Sequence, residues 1–211
     1  MLYGDLQRPQ SRSPITYSKA LLVEGYDAFR FFKALLVHMN LVHQIEIRNF
    51  GGVGDLQSYL PVLLTTPGFH GVQSLGIVRD AESDAPSAFR SVCSVLRTNR
   101  LTEPKRPMEV AEGRPRTGVF ILPDGENPGM LETLCLQAVS GDPIIPCIDL
   151  YFHCAVDNGI SLPDNMAKAR VQAFLASRSK PGLLLGEATE KGYWPWDAPT
   201  FERVKEFLRA L

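Results

Sequence analysis

The chain has 211 residues, with 22 Lys and Arg against 23 Asp and Glu, a formal net charge of -1 and a pI near 6.4. No global basic field attracts polyanions, so binding of that kind has to come from a local patch. No apolar run reaches the roughly 18 residues of a membrane span, and Met1 to Pro14 is polar and turn-rich without a stretch of signal-peptide length. The four cysteines, Cys93, Cys135, Cys147 and Cys154, lack CxxC spacing and sit in apolar surroundings, which predicts reduced, buried thiols and a cytoplasmic location, with no membrane partner.

In chain order, residues 1–18 read as a loose lead-in, and order begins at Lys19. Lys19-Ala-Leu-Leu-Val is an apolar run ending in Glu24-Gly25, a buried strand with a sharp exit. From Tyr26 to Asn40, Ala28, Phe31, Phe32, Leu35, Leu36 and Met39 form the stripe of an amphipathic helix. Gln44 to Phe50 alternates as a strand, Gly51-Gly52-Val53-Gly54 breaks it, and a helix follows from Asp55 to about Leu64. A third strand, Val72 to Val78, ends abruptly in Asp80, Glu82 and Asp84. Ser83 or Asp84 then caps a helix over Ala85 to Arg97, with Pro86 in its first turn.

Thr98 to Thr117 is rich in proline and charge. Gly118-Val-Phe-Ile-Leu-Pro123 reads as a fourth buried strand with Asp124 and Glu126 at its exit. Helices are predicted over Met130 to Val139 and Pro146 to Val156, and from a capping box at Ser161-Leu-Pro-Asp164 to about Ser177. Phe201, Val204, Leu208 and Leu211 mark a closing helix. Alternating strands and helices of this length predict right-handed βαβ units and a parallel sheet.

Acids at the carboxyl ends of neighbouring parallel strands meet in one crevice. Glu24 and Asp80 hold equivalent places after two such strands, with Glu82 beside them. Carboxylates so placed repel each other unless a hard cation sits among them, and Mg2+ or Mn2+ is the natural occupant. Asp84 is either a further ligand or the cap of the next helix.

Leu22-Val23-Glu24-Gly25, followed two strands later by Ile77-Val78-Arg79-Asp80-Ala81-Glu82, resembles the Toprim domain, the metal-binding unit of topoisomerases, primases and the OLD family of nucleases. The resemblance covers about Lys19 to Leu122. It implies a Toprim-like (Rossmann-like) α/β core over 19–125, a parallel sheet of about four strands flanked by helices, with a helical C-terminal extension over 126–211. Glu24 matches the family's glutamate and Asp80 the first aspartate of its Asp-x-Asp pair. Glu82 stands in place of the second aspartate, leaving Glu82 or Asp84 to supply that ligand. The whole chain resembles small stand-alone Toprim-like proteins akin to the OLD nucleases, with Pro128-Gly129-Met130-Leu131-Glu132 and Gly192-Tyr193-Trp194 as parts of the pattern. This implies Glu132 as a further metal ligand, Lys168 as a catalytic cation, and a separate AAA- or ABC-type ATPase as partner, since the chain has no Walker motif of its own.

From Phe89 to Arg116, seven basic residues face three acids. Arg97, Arg100, Lys105 and Arg106 are its candidate nucleic-acid contacts, provided the patch adjoins the acids. Tyr193-Trp194-Pro195-Trp196 either stacks bases or pins the tail to the core. The four histidines show no ligand spacing. The sequence therefore predicts metal-dependent phosphodiester hydrolysis on DNA or RNA, with Glu24 binding metal or acting as general base, in a chain that is monomeric or a homo-oligomer. The alternative is a non-catalytic Toprim-like subunit that binds a partner ATPase or a phosphorylated ligand.

Overall fold

The computed structural model describes residues 13–52 and 54–211. It is an α/β fold whose sheet has the order β2-β1-β3-β5-β4. Strands β1 (Lys19–Glu24), β2 (Ile45–Gly51), β3 (Ser74–Asp80) and β5 (Arg116–Leu122) are parallel. The short β4 (Val110–Ala111) pairs antiparallel with β5 and closes that edge. This two-residue strand lies inside the proline-rich segment and was not predicted, being too short to show any alternation.

Helix α1 (Gly25–His38) lies on one face of the sheet, and α2 (Leu56–Leu64) and α3 (Ala85–Thr98) lie on the other. The crossover from β1 to β2 runs one way along the sheet, and those from β2 to β3 and from β3 to β5 run the other, so right-handed connections require this split. The reversal of direction falls between β1 and β3. The helices α4 (Leu131–Ala138), α5 (Ile145–Asp157), α6 (Met166–Ala176), α7 (Leu185–Glu190) and α8 (Glu202–Ala210) join α1 in one apolar cluster. They complete the α1 face of the sheet. Gly76 and Gly118, register partners on β3 and β5, leave the flat seat on which Leu211 and Phe207 rest; a Cβ on either would stand within 3 Å of those side chains.

Three expectations change. Helix α6 opens at Asn165, whose side chain accepts the Lys168 N–H, so Ser161-Leu-Pro-Asp164 is loop and no capping box. Helix α7 went unpredicted. Cys93 and Cys135 are buried, whereas Cys147 and Cys154 are exposed, because Ile148 and Phe152 are the residues that α5 turns inward. Of the lead-in expected over 1–18, residues 1–12 lie outside the described ones. Ser13 and Pro14 receive Arg48 through their carbonyls, and the Ile15 N–H donates to Pro67 O. Trp194 is buried and stacks on Phe174, so this part of the aromatic tail motif pins the chain to the core. Among the described residues, no helix is long and apolar enough to cross a membrane.

Candidate functional site

The crossover reversal opens a crevice at the carboxyl edge of the sheet, between the ends of β1 and β3, which is where open α/β sheets place their ligands. The cleft there holds about 320 Å3 and is lined by Glu24, Asp27, Asp80, Glu82, Glu132 and Lys168, with the Gly51-Gly52 turn at its rim. Five carboxylates thus share one depression, with the exposed Lys168 among them.

Each side chain has a local reason for its place. Glu24 is the last residue of β1, and Gly25 (φ +81°) turns the chain straight into α1. Asn49 locks that turn by accepting N–H bonds from both Gly25 and Gly51 (3.0 and 2.8 Å). Gly51 carries φ +102°, and a Cβ there would collide with the Asp55 carboxylate. Asp80 ends β3, and one of its oxygens accepts the Leu131 N–H at 3.0 Å, so it anchors the first turn of α4. Glu82 is left-handed (φ +55°) and exchanges backbone bonds with Gly129 (2.9 and 2.8 Å). That bridge holds the 123–130 loop against the sheet edge, so α4 delivers Glu132 into the cleft beside Asp80.

The electrostatics follow from this crowding. Burial, then repulsion from Glu24 and Glu132, pushes the Asp80 carboxyl up to about 8, against the opposing Leu131 N–H bond. Burial also raises Glu24, although the Arg79 guanidinium offsets part of the effect. Arg79 Nε stands 3.8 Å from Glu24 Oε2, and neither atom has a hydrogen-bond partner. Glu132 is raised by burial and by Asp27 and Glu82, with Lys168 working against them.

The donors are all hard oxygens, and Glu24 Oε2 is buried without a hydrogen-bond partner, which suits a hard divalent cation. Among the described residues, however, no three His, Cys, Asp or Glu side chains converge closely enough to hold a metal as they stand. Ligation therefore requires side-chain rotation about the backbone positions just described.

The other sequence candidates lie elsewhere. Asp84 accepts the Ser87 N–H at 2.9 Å as the cap of α3 and does not line the cleft. Asp124 accepts N–H bonds from Glu126 and Asn127 within its own turn, and Glu126 pairs with Arg203. Arg97 ends α3, a helix that starts at the acidic edge and runs back about 20 Å, and it pairs with Glu103. Arg106 pairs with Glu109 near the 125–126 turn. None of Arg97, Arg100, Lys105 and Arg106 lines the acidic cleft, so the patch is not continuous with it. Asp27, in contrast, escaped notice. It sits in the first turn of α1, three residues after Glu24, and its Oδ1 also accepts the Gly186 N–H of α7 at 2.9 Å.

Two solved structures, both of the C-terminal region of the OLD protein of Xanthomonas campestris pv. campestris and phased with mercury and with iodine, are similar to this chain. Each has a TM-score of 0.41; the identities are 14% and 15%, and each match covers 93% of this chain and 87% of that one. No curated protein matches the sequence. The model of the family described as "Protein of unknown function (DUF3226)" matches residues 18–211, and the chain belongs to that family.

Proposed function

We propose that the cleft binds Mg2+ or Mn2+ through Glu24, Asp80 and Glu82, with Glu132 and Asp27 alongside, and that the protein hydrolyses phosphodiester bonds in nucleic acid. The observation that carries this reading is the meeting of five carboxylates at the strand-order reversal, one of them, Asp80, pushed up to about 8 by burial and then by its acidic neighbours. The Toprim-like pattern of Glu24-Gly25 and Asp80-Ala81-Glu82 supports it. The metal, when bound, supplies a Lewis acid for a phosphate oxygen and a water of lowered pKa.

The chain's own residues supply the rest. The Leu131 N–H fixes one Asp80 oxygen and leaves the other for a ligand. Glu24, raised by burial, would either bind the metal or take a proton from an attacking water. Lys168 lines the same cleft, and its ammonium would offset charge on a leaving oxyanion. Labelled DNA and RNA incubated with Mn2+, Mg2+ or EDTA test the proposal. Cleavage is expected with metal alone, with a loss of roughly 100-fold or more in Asp80→Asn and Glu24→Gln and a smaller loss in Lys168→Ala. Cleavage that persists in EDTA or in Asp80→Asn contradicts it.

One observation favours a second reading, a subunit inactive by itself: no metal-holding triad is assembled among the described residues. A partner, an AAA- or ABC-type ATPase, would then close the cleft. Cleavage only in the reconstituted pair supports this version, and retained binding of a phosphorylated ligand with no cleavage supports a purely binding role.

A further inference from the structure

A second depression, of about 430 Å3, lies between α1 and α7 and is lined by Arg30, Lys33, His38, Glu190 and Trp196. It shares no lining residue with the acidic cleft but adjoins it through one side-chain contact. Tyr26 lines the cleft, and the Arg30 guanidinium lies 5.9 Å above the Tyr26 ring while lining the second depression. Tyr26 also stacks on Phe29, with planes 13° apart. At the far end His38 stacks on Trp196, with planes 28° apart. The outward face of α1 thus carries, from the cleft outward, an aromatic pair, a guanidinium plane, an ammonium and a second aromatic pair. Tyr26 to Val37 spans about 16 Å of helix, the rise of about five stacked nucleotides at ~3.4 Å each.

The charges along this path are unequal in role. Arg30 bonds Glu190 at 2.7 Å and Glu187 at 3.3 Å, so it is neutralised and presents a flat plane. Lys33 is exposed and has no carboxylate within ion-pair distance among the described residues, which leaves its ammonium for a ligand anion. Phe31 and Phe201 set their rings against Trp196 from the core side and fix the indole at the cavity wall. A wall of flat rings with an unpaired ammonium beside it suits an unpaired base and its phosphate. A duplex hides its base faces and offers phosphates alone, which a single free lysine holds poorly.

We infer that the α1 face is a track for single-stranded nucleic acid leading into the acidic cleft, with an unpaired base held against Trp196 and His38 and its phosphate on Lys33. The inference rests on the proposed chemistry of the cleft for its direction, but its binding does not, and the test separates the two. Intrinsic tryptophan fluorescence reads the site directly, since Trp194 is buried and Trp196 faces the cavity. In EDTA and low salt, a 12-nucleotide oligothymidylate is expected to quench the wild-type fluorescence. It should bind at least 5-fold more weakly to Lys33→Glu and to His38→Ala. The slope of log affinity against log salt should drop by about 0.7 in Lys33→Ala, the value for one phosphate of a single strand. Trp196→Phe should abolish quenching while fluorescence anisotropy still reports binding. An absence of quenching, equal affinity for a duplex of the same length or for a mononucleotide, or unchanged affinity in Lys33→Glu overturns the track. Failure of metal binding or cleavage with these results intact overturns only the cleft chemistry.

Discussion

Asp80 concentrates the tension of the site. Its carboxyl is pushed up to about 8 from an ordinary 3.8, first by burial and then by Glu24 and Glu132. A folded value above the unfolded one means that folding takes up a proton. The contribution is whole below about pH 4 and is lost as pH rises through 8. The metal-free protein is therefore expected to lose stability between about pH 4 and 8, and Asp80→Asn to stabilise it at pH 9 by on the order of 2 kcal/mol while flattening the dependence. Thermal melts in EDTA check this, and parallel curves for the two proteins contradict it. At this scale much was legible. Glu24, Asp80, Glu82, Glu132 and Lys168 all line one cleft, as strand order and resemblance suggested. Asp84 follows its capping chemistry, and Asp27 was missed because a first-turn acid looks the same whether it serves the helix or the site.

Among the elements, the contact of α7 with α1 was the least readable. Leu185–Glu190 is six residues long, too short to show a helical stripe, and its place depends on Asp27 and Arg30, about 160 residues away in sequence. Gly186 permits the approach: a Cβ there would stand 2.8 Å from Arg30 Cβ and 3.0 Å from Asp27 Oδ1. Gly186→Ala is expected to cost about 1–3 kcal/mol by overpacking and to shift α7 away from Asp27, which chemical denaturation with both tryptophans as probes will report. An unchanged midpoint contradicts this packing. The predicted strands and long helices matched within a few residues because each carries a long apolar pattern. Helix α6 began late because Asn165, and not the Ser161–Asp164 segment, supplies the side-chain cap.

For the molecule as a whole, the two faces of the sheet divide the labour. One face is sealed by α2 and α3, and the other by α1 together with the helices beyond residue 130. Apolar content in the last third of the chain was plain in the sequence, but which face it covers is set by contacts no periodicity reveals. The same division sorts the cysteines: Cys147 and Cys154 on the outer side of α5 should react with a thiol reagent in the native protein, and Cys93 and Cys135 only after unfolding. Four reactive thiols in the native state contradict the orientation of α5. Charge is sorted as well. Acids gather at the sheet edge, and the basic residues of 89–116 either pair with nearby glutamates or lie off the cleft.

The most direct test of the account is calorimetric titration of the metal-free protein with Mn2+ and Mg2+, on wild type and Asp80→Asn. Binding in the wild type that disappears in the variant is the predicted result. It should be accompanied by proton release that grows as pH falls from 8 to 7, since the Asp80 carboxyl is then increasingly protonated before it meets the ion. Absence of binding at millimolar metal, or equal binding by both proteins, contradicts a metal centre built on β1 and β3.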